Sequence, residues 1–140
     1  MSTKSLKRTN TFYCMFIIAI LTTVFISCSP QTYVSSGETI YRTGKNLSGQ
    51  QLLDKENSSI RIFRSCQGCH GKTGDRMRNC NIKWSALTDP AKVTVPYNEA
   101  LFTRFLDEDI KSDNTPARTG VHWKVTQEEK KDLIVFLKTL

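Results

Sequence analysis

The chain has no methionine after Met77 and only two histidines, His70 and His122. Soft sulfur and imidazole donors are therefore few, so the place of each one carries information. There is one long apolar run and no second, which excludes a multi-span membrane protein. No stretch of useful length alternates apolar and polar residues, and no internal repeat is visible, so sheet-built and solenoid folds find no support. Gly and Pro, at 7 and 4 residues, are too scarce for a collagen-like or low-complexity chain. Aromatic residues at 9% and charged residues at 24% weigh against disorder throughout. A chain of 140 residues leaves room for one domain and no second independent core.

No acidic residue precedes Glu38. Lys4, Lys7 and Arg8 are followed by an apolar run from Phe12 to Ile26, broken only by Thr22 and Thr23. A basic segment before an apolar one reads as a secretory signal. At 15 residues the run is short for crossing about 30 Å of hydrocarbon. Phe25-Ile26-Ser27-Cys28 resembles a bacterial lipoprotein processing site. That resemblance implies removal of residues 1–27 and acylation of Cys28 as the first mature residue. It also implies a lipid-anchored protein of the cell envelope, facing the periplasm or exterior. An uncleaved signal anchor is the alternative, and it puts the rest of the chain on the same side. Several acyl chains on one cysteine make an anchor that a single chain does not.

Without the signal, 17 basic residues face 13 acidic ones, a net charge of +4 instead of +7. With no arginine-rich stripe interleaved with aromatics, nucleic acid is not an expected partner. Residues 28–57 are rich in Ser, Thr, Gly, Asn and Gln and read as a tether and a partly ordered arm, ordered from about Gly37. Residues 58–140 form the expected domain.

Three helices are expected there. Ser58 to Cys66 reads as the first, capped by Ser58 or Ser59. Asn98 to Leu106 is the second, with Asn98 as N-cap and Leu101, Phe102, Phe105 and Leu106 on one stripe. The third starts at the capping box of Thr126 and Glu129 and lines Leu133, Ile134, Leu137 and Leu140 along one face. The fold class is therefore all-α with long loops. Three short helices bury too little surface for a strong core, so something else must fill the middle.

Cys66-Gln67-Gly68-Cys69-His70 matches C-x-x-C-H, the attachment sequence for a covalent c-type haem. Two thiols three residues apart reach two vinyl groups of one porphyrin, and the adjoining histidine offers a ring nitrogen to the iron. The haem also supplies the missing apolar core. Other readings fit less of the sequence. A zinc site needs four ligands, and Cys80 and His122 complete one only at irregular spacing. A thioredoxin-like pair needs a βαβ context. A disulfide between Cys66 and Cys69 explains neither the histidine nor the small core. Export agrees with haem c, because attachment takes place on the exported side in bacteria.

Cys66 to Gly71, followed by Lys72-Thr73-Gly74, resembles the opening of class I c-type cytochromes, and residues 125–137 are similar to their final helix. The resemblance implies a small cytochrome c-like domain with one haem. Cys66 and Cys69 would be the thioether attachments and His70 the axial iron ligand. It implies an electron carrier that works with redox partner proteins, not an enzyme. In that family the N- and C-terminal helices cross beside the haem edge. A haem-based gas sensor, or an electron-transfer subunit of a larger oxidoreductase, are the alternatives.

Members of that family normally take a distal methionine from late in the chain. Here Thr115-Pro116 stands where a Met-Pro pair is expected. His122, ahead of the capping box, is the favoured second axial ligand. Met77 is the lesser candidate, because it follows His70 by only seven residues. Cys80 reads as a buried or partly buried thiol, and Trp84 and Tyr97 as core or haem wall. Arg76 and Arg78 are candidates to pair a haem propionate. Asp107-Glu108-Asp109 reads as a solvated face or an acidic docking patch.

Overall fold

The computed structural model describes residues 33–77 and 79–140. The lipidation candidate Cys28 and the propionate candidate Arg78 lie outside the described residues. Among the described residues the architecture is all-α, as expected, with five helices and only isolated β-bridges. It differs from the expected arrangement at its N-terminal side.

The first described helix, α1, spans Ser36–Thr43, inside the segment expected as a tether and partly ordered arm. Its signals are local. The Ser35 side chain accepts from the Glu38 amide at 3.1 Å, and Gly44 closes the helix in the left-handed region at φ 67°. Glu38 and Arg42 pair across one turn at 2.7 Å. Ile40 and Tyr41 are completely buried, so this arm is part of the core. The unit that packs together runs from Tyr33 to Leu140.

The helix expected over 58–66 is absent. The amides of Ser59 and Ile60 donate to the Gly120 carbonyl at 3.0 and 3.1 Å and the Ser58 amide donates to the Asp54 carbonyl at 3.0 Å, which ties this segment to the neighbouring loops. A short helix, α2, forms instead at Cys66–His70. Ser65 caps it by accepting from the Gly68 amide at 3.2 Å, and Gly71 ends it at φ 76°. Helix α3 is a single turn at Trp84–Leu87.

Helices α4, Glu99–Glu108, and α5, Gln127–Leu137, stand where they are expected. Asn98 caps α4, its side chain accepting from Leu101 at 2.8 Å. The Thr126 and Glu129 box is complete, with Glu129 accepting from the Thr126 amide at 2.8 Å. Phe102 and Leu106 of α4 and Leu133, Ile134, Phe136 and Leu137 of α5 bury against Ile40 and Tyr41. Burying each such side chain contributes roughly 1.5–3 kcal/mol.

α1 lies directly on α5. The Tyr41 and Phe136 rings are 5.2 Å apart, and a Cβ on Gly37 would overlap the Asp132 backbone carbonyl. Glycine at 37 is what permits the two backbones to approach so closely. α2 hangs from α1 by two side-chain bonds. The Tyr41 hydroxyl donates to the Gly71 carbonyl at 2.7 Å, and Arg42 donates to the Gln67 side chain at 3.0 Å.

The acidic run at the end of α4 is committed internally. Asp107 pairs with Lys130, a buried lysine on α5, and Asp109 accepts from the Thr119 hydroxyl at 2.7 Å. Two of its three carboxylates are therefore not a free docking patch. Among the described residues no helix is long and apolar enough to cross a membrane.

Candidate functional site

A five-residue helix has few ways to orient three reactive side chains. In α2, Cys66 and Cys69 are one turn apart and His70 follows directly, so all three share one side. That side is the wall of an apolar cleft of about 240 Å³. Both thiols and the imidazole line it, with Phe102, Phe105 and Leu106 from α4 and Leu133 and Leu137 from α5. Tyr41, Ile60, Phe63, Ile82, Val121 and Trp123 add to the apolar lining. The cleft opens where Ile60, Phe63 and Met77 are exposed.

Cys66, Cys69 and Cys80 are free thiols. Burial pushes the Cys66 thiol up to about 12 and raises Cys69 as well. Both are therefore protonated near neutral pH. Cys80 is exposed as a residue but also lines the cleft, where burial raises its thiol pKa, and its backbone carbonyl contributes as well. His70 Nδ1 lies 3.2 Å from the Cys80 carbonyl oxygen. A carbonyl only accepts, so Nδ1 is the protonated nitrogen and Nε2 keeps its lone pair. Burial lowers the His70 pKa below the ordinary histidine value, which favours the neutral ring that a metal needs. A backbone acceptor behind the second ring nitrogen is what orients ligating histidines in general.

Arg76 is committed elsewhere than expected. Its Nε donates to the Cys69 carbonyl at 3.0 Å, a second guanidinium nitrogen donates to the Gly68 carbonyl, and its amide donates to the His70 carbonyl at 3.0 Å. It closes the C-terminal end of α2 and complements the partial negative charge there.

The two candidates for a second axial ligand part company. Met77 lines the cleft, but it opens the turn that ends at Cys80, the residue that holds His70. It therefore belongs to the wall that carries His70. His122, the favoured second ligand, is exposed and does not line the cleft. Its backbone is held on both sides. The His122 amide donates to Ser58 Oγ at 2.9 Å, and its carbonyl accepts from the Asp54 amide at 2.9 Å. The bridge between Leu53 and Trp123 then turns Trp123, one residue on, into the cleft. Alternation along an extended segment sends neighbours to opposite sides. Trp84 and Tyr97 pack on the core, and Tyr97 lies outside this cleft.

A direct consequence is testable. Ser58 is 2% exposed and satisfies the His122 amide, so Ser58→Ala should cost about 1–3 kcal/mol. His122→Ala, which spares those backbone bonds, should stay within about 0.5 kcal/mol. Denaturant melts of the two variants measure both. The reverse order would show that the His122 side chain has a structural contact inside.

Sequence reasoning missed Tyr41, the Cys80 carbonyl and Asp109 as parts of this site. Only the Ser35 to Gly44 capping signals gave a local hint, and only for Tyr41. Among the described residues, no three His, Cys, Asp or Glu side chains gather into a metal-holding group, and His122 stands apart from the thiols, so a zinc site finds no support. The comparisons with known proteins add nothing: no family model, no curated protein and no solved structure matches this chain.

Proposed function

We propose that the chain carries one covalent haem c, bound through Cys66 and Cys69 with His70 as an axial iron ligand. We propose further that it moves single electrons outside the cytoplasm, tied to a membrane through Cys28. The observation that carries this reading is the geometry of α2. Two thiols and an imidazole with its Nε2 lone pair free line one apolar cleft, and the motif that supplies them is the haem attachment sequence. The residues fit the group: a flat apolar ring needs apolar walls, and the iron needs a neutral imidazole held in place.

When bound, the haem supplies a one-electron couple at its iron. The chain does the rest. Cys66 and Cys69 hold the ring edge, and the Cys80 carbonyl holds the Nδ1 proton of His70. Phe102, Phe105, Leu106, Leu133 and Leu137 keep water from that face of the cleft. Ile60, Phe63 and Met77 form an exposed apolar rim where a redox partner can approach. This reading gives the protein no reaction of its own to catalyse, only a potential to set.

The test is a purified mature protein, denatured and run on a gel. Haem stain that survives denaturation, with a pyridine haemochrome of the two-thioether type, is expected. Zinc without haem in the exported native protein would overturn the proposal.

A second reading gains from the position of His122. His122 does not line the cleft and the one methionine in its lining is Met77, so a haem held there by His70 would lack a second histidine. A haem of this kind takes a small external ligand. Rapid carbon monoxide binding by the reduced protein, and no red charge-transfer band of an iron–sulfur bond in the oxidised protein, favour this reading. A low-spin six-coordinate reduced form favours the plain electron carrier.

A further inference from the structure

Little chain separates the lipidation candidate from the folded unit. Tyr33, where that unit begins, follows Cys28 by five residues. Fully extended, five residues span at most about 18 Å. A folded unit as long as Tyr33–Leu140 has a radius of gyration of about 13 Å and is therefore about 35 Å across. We propose that the N-terminal end of α1, with Tyr33 and Val34 at its tip, rests on the headgroup layer of the bilayer that holds Cys28. The proposal rests on the lipid-anchor reading above and not on the haem.

Reach decides which face meets the lipid. A tether longer than the folded unit is wide lets that unit turn any face to the membrane. Here the tether is about half that width, so the end where it enters stays next to the lipid. The tether cannot lengthen by unwinding α1, because Ile40 and Tyr41 bury that helix in the core and the Thr39 amide donates to the Ser35 carbonyl at 3.0 Å. Val34 stands at the entry point and is 99% exposed. A single exposed valine is ordinary on a protein surface. What gives this one an occupant is its distance of six residues from the acyl chains, close enough for an apolar side chain to enter the boundary between headgroups and tails.

The charges at this end do not oppose the contact. Glu38 is paired with Arg42 at 2.7 Å, and its second carboxylate oxygen accepts from the Val34 amide at 3.4 Å. The Arg42 guanidinium also lies over the Tyr33 ring, 5.9 Å from its centroid, and holds that residue to α1. The turn of α5 against which Gly37 packs adds Lys131 and Asp132, one charge of each sign. The cleft lies toward the other end of α1. There Gly44 packs against the Arg64 carbonyl, next to Phe63 of the exposed rim. Eight helical residues separate the two ends by about 12 Å. The rim is thus left open to a redox partner while the first turn of α1 meets the lipid.

The experiment uses the mature full-length protein in vesicles of phosphatidylethanolamine and phosphatidylglycerol. Backbone hydrogen exchange is followed by mass spectrometry, and fatty acid on Cys28 is measured on every sample. A companion variant carries about 20 Gly and Ser residues inserted between Gln31 and Thr32, a flexible coil that adds roughly 25 Å of reach outside the folded unit. Exchange over residues 33–39 should be about threefold slower or more in the wild type than in the insertion variant, while residues 60–64 at the rim exchange alike in both. Val34→Asp should lose most of that protection and keep the wild-type melting temperature. Equal exchange over 33–39 in the wild type and the insertion variant, with Cys28 acylated in both, overturns the assignment. So does protection at 60–64 in place of 33–39, which would put the rim on the lipid. Full protection in Val34→Asp overturns the place of Val34 in the contact. A wild-type protein without fatty acid on Cys28 overturns the underlying anchor reading, and the assignment falls with it.

Discussion

Gly37→Ala is expected to unfold the protein at a markedly lower temperature, with a loss of at least about 1–3 kcal/mol. The cost comes from where the new methyl group must go. A Cβ at 37 overlaps the Asp132 carbonyl and reaches within 3.0 Å of the Leu133 amide, and all of these are backbone atoms of α5. A flexible side chain can step aside, but a helix backbone moves only with the whole helix. Separating α1 from α5 loosens the packing of Ile40 and Tyr41, two of the most deeply buried side chains. Tyr41 also holds α2 through the Gly71 carbonyl, so the loss reaches the attachment helix. Thermal melts followed by circular dichroism measure the effect. Gly37 has no left-handed φ, so the substitution adds no backbone strain of its own, and a melting temperature equal to that of the wild type would show that the α1–α5 crossing does not require glycine.

The second large effect is expected in the Cys66→Ala, Cys69→Ala double variant. Covalent haem should be lost completely, while either single variant keeps part of it. The helix itself should survive, because α2 is held by Ser65 at its start and by Gly71 and Arg76 at its end, not by the thiols. The far-ultraviolet signal of the double variant should therefore stay close to that of wild-type apoprotein. Its melting temperature should fall below that of the haem-loaded wild type, since a group bound only by the folded state stabilises that state. His70→Ala separates the roles further. On the proposed reading it should leave both thiols in place and remove the normal spectrum, because the ring nitrogen proposed to bind iron, positioned through the Cys80 carbonyl, is gone. Haem stain that persists in the double cysteine variant would sink covalent attachment at these two residues.

Several parts of this protein were legible in the sequence because they depend on neighbours within a few residues. The cap of α4 needs only Asn98 and the amide of Leu101. The start of α5 needs only Thr126 and Glu129. The three site residues on one side of α2 follow from the spacing of Cys66, Cys69 and His70. The all-α class followed from the absence of period-two patterning.

Helix α1 was hidden because its eight residues, mostly polar, bury only Gly37, Ile40 and Tyr41, which is too short a pattern to reveal a periodic face. The helix expected over 58–66 failed for the opposite reason. Its local signals are sound, but tertiary contacts override them: the Ser59 and Ile60 amides tie the segment to the Gly120 carbonyl, about 60 residues away. Sequence order likewise put both His122 and Trp123 near the cleft. The pairing of Leu53 with Trp123, together with the Ser58 and Asp54 bonds to the His122 backbone, selects Trp123 and leaves His122 outside. Residues and caps that interact within one turn were thus determined by the sequence itself. Which side of an extended segment faces the cleft was decided by contacts across more than sixty residues, and which carbonyl holds His70 by the fold of the loop that brings Cys80 back to it; both exist only once the chain has packed.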